Sequence, residues 1–193
     1  MPGNNYGIIV EGEYDSAAYS AFIQRLASHA VSIKPFPCGG KPRLIQKFPG
    51  YLEALKYAVM GNTVDTAIVI VDSDGQDINK LENSMRARVA SREYQFPLGL
   101  HFCAVAHALE TWLMADIEAI ARVVQRRSGK NVSRARYNLE ELIDPKPTFR
   151  AILTRGEVDY TPPVAAEIAR EVDFELLAER CSTFQRFAEL VDC

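Results

Sequence analysis

The chain has 193 residues with 25 acidic and 22 basic side chains, and its formal charge of -3 excludes both a histone-like polycation and an acidic tail protein. Apolar residues make up 48% and charged residues 24%, the balance of a globular domain that buries a core, so disorder is not the default. The longest apolar runs, residues 67–71 and 102–106, fall far short of the roughly 20 residues that cross a bilayer.

Residues 1–6 carry no basic group and no apolar segment of the kind that marks a secretory leader. Cys38, Cys103, Cys181 and Cys193 have neither zinc-finger nor CxxC spacing. A reduced, cytoplasmic protein without a membrane span is the expectation.

Residues 6–10, YGIIV, form a short β-branched run that meets Glu11-Gly12, the pattern of a buried strand ending at a tight turn. Asp15 or Ser16 is then placed to cap a helix that carries Ala18, Phe22 and Leu26 on one face. Residues 31–37 predict a second strand, and residues 38–43, CGGKPR, a flexible basic loop. Leu52, Leu55 and Val59 share a face of the next helix, with Gly61-Asn62 as its stop.

Residues 65–74, DTAIVIVDSD, give the strongest strand signal. Their aliphatic run has no polar alternation, as in a parallel strand covered by helices on both faces. Ile78, Leu81, Met85 and Val89 mark a third helix, and residues 100–106 a fourth strand after the Pro97-Leu98-Gly99 break. The order βαβαβαβ predicts a parallel sheet.

From His107 the pattern turns helical, through Leu109, Leu113, Ile117, Ile120 and Val124. Asp144-Pro145-Lys146-Pro147 punctuates this half, Pro162-Pro163 opens a helix, and Ser182 with Gln185 resembles a capping box. The expected organisation is an α/β core over residues 1–106 and a helical extension over residues 107–193 packed on it, as one structural domain.

In such sheets ligands bind at the carboxyl ends of the strands. Glu11 follows the first strand, Asp72 and Asp74 the third, and Glu110 the fourth, so four distant acids converge on one edge. Asp72 and Asp74 are two apart on an extended segment and therefore share a side, and Gly75 permits a sharp turn. An all-oxygen acidic cluster suits Mg²⁺ or Mn²⁺ rather than zinc. Taken alone, Asp72 and Asp74 fit equally well as acids that merely end a strand and cap the following helix. Lys41 and Arg43 are weak candidates for phosphate binding, because Pro42 and the spacing exclude a P-loop. Lys80 is a third weak candidate, reaching from the following helix, and Asp77 reads as that helix's cap. The basic residues Arg126, Arg127, Lys130, Arg134 and Arg136 read first as a solvated face.

VEGEYD at residues 10–15 followed by VDSDG at residues 71–75 resembles the Toprim fold of topoisomerases, primases and overcoming-lysogenization-defect (OLD) nucleases. HALETWLMAD at residues 107–116, DPK at residues 144–146 and CSTFQRF at residues 181–187 resemble the bacterial "domain of unknown function" family numbered 4276. The resemblance implies a Toprim-like Rossmannoid sheet with Glu11 as general acid or base and Asp72, Asp74 and Glu110 holding Mg²⁺ or Mn²⁺. It further implies phosphodiester hydrolysis of nucleic acid, defence against mobile elements, and an OLD-like or RecF-like ATPase encoded nearby. Without a zinc module or a cleavage-domain tyrosine motif, hydrolysis is favoured over priming or strand passage. Two alternatives stand beside it: a non-catalytic nucleic-acid or nucleotide-binding module of an ATPase complex, and a phosphotransfer enzyme of small nucleotides.

Overall fold

The strands form where aliphatic and β-branched residues run without interruption. In the computed structural model, which describes residues 4–27, 31–56, 64–134, 137–139 and 141–191, they are β1 (Asn5–Val10), β2 (Ser32–Pro37), β3 (Thr66–Asp72) and β4 (Gly99–Val105). All pairings are parallel and the order is β2-β1-β3-β4. Every residue of β3 is buried, as its unbroken apolar run requires of a strand covered on both faces.

Alternation along the strands separates two cores. Ile9, Ala67, Val69 and Val71 pack with α2 (Lys41–Lys56) and α3 (Ile78–Val89). Ile8, Ile68 and Ile70 face α1 (Glu13–Leu26) and the helical second half. That half comprises α4 (Leu109–Leu113), α5 (Ile117–Ser128), α6 (Pro145–Arg155), α7 (Pro162–Glu171), α8 (Phe174–Arg180) and α9 (Ser182–Val191). Trp112 is its centre: fully buried, it meets Tyr19, Phe22 and Phe184 edge to face, and its Nε1 donates to Thr183 Oγ1 at 3.1 Å.

Several local expectations are corrected. Lys41 and Arg43 lie in the first turn of α2 rather than in a flexible loop. Gly39 and Gly40 take φ of 79° and 109°, and both backbone N–H groups donate to Glu11 O, at 2.8 and 2.7 Å. Pro42 then enters the first turn, where its missing N–H costs no hydrogen bond. The expected partners Val59, Gly61 and Asn62 lie outside the described residues, as does Arg136.

The helix cap expected from Asp15 or Ser16 is Gly12, with Asp15 Oδ2 accepting from its N–H at 2.8 Å. The helix expected to run on from His107 is broken. His107 has φ 59°, and Asp116 starts α5 by accepting from Glu118 N and Ala119 N at 3.0 and 3.2 Å. The DPKP segment starts a helix: Asp144 caps α6 and Pro145 occupies its first turn. Likewise α9 begins at Ser182 itself, with Cys181 O accepting from Phe184 N. Asp77 caps α3 as read, accepting from Lys80 N at 2.9 Å.

Gly156 ends α6 against α5. A Cβ there would clash with Val124 Cγ1 and lie 3.0 Å from Val132 Cγ1. Gly156→Ala is therefore expected to destabilise the protein by about 1–3 kcal/mol, the usual cost of overpacking. Urea unfolding checks this, with a lowered midpoint and an unchanged slope as the expected result.

Candidate active site at the strand-end edge

In the order β2-β1-β3-β4 the connections leave β1 and β3 in opposite directions, which opens a crevice between their carboxyl ends. Glu11 lies directly after β1 and Asp72 is the last residue of β3, so the switch point is lined by acids. Glu11 Oε1 accepts from Asp72 N at 2.9 Å, tying the two strand ends together.

Asp72 is 3% exposed. Its Oδ1 accepts from Leu109 N at 3.1 Å, and its Oδ2 accepts from Lys146 Nζ at 3.1 Å. Glu110 is 4% exposed and accepts from Tyr160 Oη at 3.1 Å through Oε1, while its Oε2 is buried with no hydrogen-bond partner among the described residues. Tyr160 is itself held between Tyr14 and Phe149.

Asp74 stands outside this buried group. Its side chain is 54% exposed, and Oδ2 pairs with Lys41 Nζ at 2.9 Å. Asp74 and Gly75 both take positive φ, 48° and 78°, which turns the chain sharply after β3. Asp74 N donates to His107 O at 2.9 Å and His107 N to Ser73 Oγ at 2.9 Å, so the loops after β3 and β4 brace each other. Non-glycine residues rarely hold positive φ, and the strain is kept here, at the edge where the acids meet.

Burial is the main cause that raises the proton affinity of Glu11, Asp72 and Glu110; for Asp72, the neighbouring Asp15 and Glu11 add to it. Asp15, four residues after Glu11 in the first turn of α1, is pushed up to about 7 by burial and then by Glu11. Burial alone would lower Lys146, but Asp72 and Glu110 outweigh it and keep the ammonium charged. Four carboxyls thus share one close ammonium, and the excess negative charge calls for protons or a cation.

Two of the residues that matter here are not read as site residues from the sequence, although the DPK motif includes Lys146. Lys146 lies 74 residues from Asp72, and Tyr160 lies 50 from Glu110. Asp15 had a signal in its position: an acid at the third residue of a helix reaches back to the strand-end turn. Of the weak phosphate candidates, Lys41 reaches the edge through Asp74, whereas Arg43 and Lys80 are exposed and their side chains bond to none of these acids among the described residues.

For a divalent cation the donor chemistry fits: the acids offer only hard oxygens, and Glu110 Oε2 lacks a partner. As the side chains stand, no group of three or more acidic, imidazole or thiol side chains among the described residues is placed to hold one ion. Lys146 and Lys41 hold oxygens of Asp72 and Asp74 instead.

Glu118, eight residues beyond Glu110, lies past the break between α4 and α5 and pairs with Arg134. Glu110→Ala is expected to weaken Mn²⁺ binding at least tenfold, roughly 1.4 kcal/mol, with Glu118→Ala unchanged. Fluorescence of Trp112, the only tryptophan, is the readout; equal isotherms would remove Glu110 from the site.

The fold and edge define a class: an α/β protein with a Toprim-like parallel sheet flanked by helices and acids at its switch point. The chain matches the model of the family described as "Domain of unknown function (DUF4276)" over residues 10–192 and belongs to that family. No curated protein matches it. Among solved structures it is similar to the C-terminal region of the Burkholderia pseudomallei OLD protein, at 16% identity over 99% of this chain and 98% of that one, TM-score 0.52. The C-terminal region of the Xanthomonas campestris pv. campestris OLD protein is also similar, at 14% identity over 98% of each chain, TM-score 0.46. At such identity the first likeness establishes the fold alone. Among the described residues no helix is long and apolar enough to cross a membrane.

Proposed function

We propose that this chain is a Mg²⁺- or Mn²⁺-dependent phosphodiesterase acting on nucleic acid. The observation that carries the reading is the meeting of Glu11, Asp15, Asp72 and Glu110 around Lys146, with Glu110 Oε2 left unpartnered in a buried place. Asp15, Asp72 and Glu110 would hold the ion, with Asp74 at the rim and Glu11 beside it as the proton acceptor. Bound there, a divalent ion supplies charge neutralisation of phosphoryl oxygens and a more acidic water.

The chain's own groups account for the rest. Lys146 and Lys41 place positive charge beside a bound phosphodiester. Glu11, with a raised proton affinity, takes a proton from the attacking water; oxygen bonds to phosphorus, the phosphorus–oxygen ester bond breaks, and the leaving oxygen receives a proton. The strained loops after β3 and β4 keep these groups at fixed positions.

The likeness to a C-terminal region of a longer protein supports action beside a second module, in this reading an OLD-like or RecF-like ATPase encoded nearby, in defence against mobile elements. The ammonium of Lys146 on Asp72 favours one rival: a nucleic-acid or nucleotide-binding module in which lysines neutralise the acids permanently. Labelled DNA, RNA and nucleotides incubated with Mn²⁺ or with chelator, with and without the ATPase, separate the two. Mn²⁺-dependent shortening of the labelled strand is expected. Binding without any turnover would establish the module.

A further inference from the structure

Away from the acids, on the face covered by α2 and α3, lies an open cleft of about 880 Å³. Lys47, Arg88 and Arg92 line it together with Gln46 and Tyr51, and among the described residues no carboxylate does. None of the three cations has an ion pair among the described residues; Arg88 only lies 6.0 Å from the Phe48 ring. The basic stretch of α5 behaves differently. Arg126 pairs with Glu171, Arg127 with Glu167, Lys130 with Glu157 and Arg134 with Glu118. In a chain of net charge -3, three unpaired cations gathered in one concave surface repel each other, and an anionic ligand removes that repulsion.

The lining of the cleft carries a second sign. Gly50 lies inside α2, and a Cβ there would meet nothing within 4 Å. Helices disfavour glycine, and among the described residues no neighbour requires its smallness. Gly50 is exposed in the lining of the cleft, and its lack of a side chain leaves the cleft open there.

The placement selects the ligand. α2 follows β2, so its first turn, with Lys41, stands at the acidic edge, and Lys47 follows six residues on, about 9 Å along the helix axis. Lys41 thus marks the end of α2 that stands at the acids, and Lys47, Arg88 and Arg92 carry positive charge away from that edge over α2 and α3. The geometry points to this cleft as the seat of the nucleic-acid backbone flanking the phosphodiester at the acidic edge, an inference that rests on the function proposed above.

The test measures binding of labelled single- and double-stranded oligonucleotides in chelator, where no cleavage occurs, over a series of salt concentrations. Arg88→Ala with Arg92→Ala is expected to weaken binding at least tenfold and to make the slope of log affinity against log salt shallower by about 2, one for each lost phosphate contact. Gly50→Leu fills the cleft without changing charge and favours the helix, so it is expected to weaken binding with the salt slope retained. Arg126→Ala with Arg127→Ala serves as a control on the paired face and should bind as wild type does. Wild-type affinity in both cleft variants overturns the inference, as does a wild type that binds no oligonucleotide. Polyglutamate bound as tightly as the oligonucleotides overturns it in favour of an acidic protein partner. Metal-dependent cleavage with an unchanged KM in the cleft variants rejects the cleft and leaves the hydrolase; cleft-dependent binding without cleavage by the wild type does the reverse.

Discussion

Glu11→Gln is expected to lower metal-dependent turnover by about 10²- to 10⁴-fold, the range that a positioned acid or base contributes, while Mn²⁺ affinity falls far less. The amide oxygen can still accept from Asp72 N, as Glu11 Oε1 does at 2.9 Å, so the join between the ends of β1 and β3 survives. What is lost is the ability to take and return a proton. Single-turnover cleavage together with Mn²⁺ titration of the same preparations separates the two roles. Full activity would remove Glu11 from proton transfer, and parallel loss of metal and activity would make it a ligand first.

The second large effect is on stability against pH. Asp15 titrates at about 7 in the folded protein, against an ordinary value of 3.8, because it is buried and faces Glu11. Between those values the folded state holds a proton that the unfolded chain has released. Stability from this group is therefore fully present below the ordinary value and is lost as pH rises through about 7. The metal-free protein should melt at a lower temperature at about pH 8 than at about pH 5, and Asp15→Asn should flatten that dependence. Mn²⁺ should reverse the loss at the higher pH, by about 2.7 kcal/mol at 100 times Kd, or about 5–10 °C for a chain of this size. Thermal melts checked in both states decide it: a flat wild-type profile, or an identical slope in Asp15→Asn, contradicts the proton assignment.

What could be read in advance divides along physical lines. The run TAIVIVD must be buried on both faces wherever it lies, and β3 is buried throughout. Glu11, Asp72 and Glu110 were legible as edge acids because a strand end in a parallel sheet has only one place to be. The helix start at Lys41 was less visible. Two glycines and a proline read as a loop, yet the glycines supply the left-handed turn and the proline fits a first helical turn. The break between α4 and α5 escaped because Leu109, Leu113 and Ile117 keep helical spacing across it, and periodicity does not register a left-handed His107 or the Asp116 cap. Lys146 and Tyr160 come from the helical half, and their contacts to Asp72 and Glu110 depend on how α6 and the start of α7 pack, a tertiary outcome that spacing does not encode.

Calorimetric titration of Mn²⁺ into the wild type and into a variant carrying Asp72→Asn and Glu110→Gln tests the central claim most directly. Both replacements keep shape and remove charge, and the amide introduced by Asp72→Asn retains one oxygen to accept from Leu109 N, as Asp72 Oδ1 does at 3.1 Å. Saturable binding by the wild type, at least a hundredfold weaker in the double variant, or about 2.7 kcal/mol, is the result expected of a divalent-metal centre at the strand-end edge. Identical isotherms, or a wild type that binds no Mn²⁺ above about pH 7, where Asp15 has lost its proton, would contradict it.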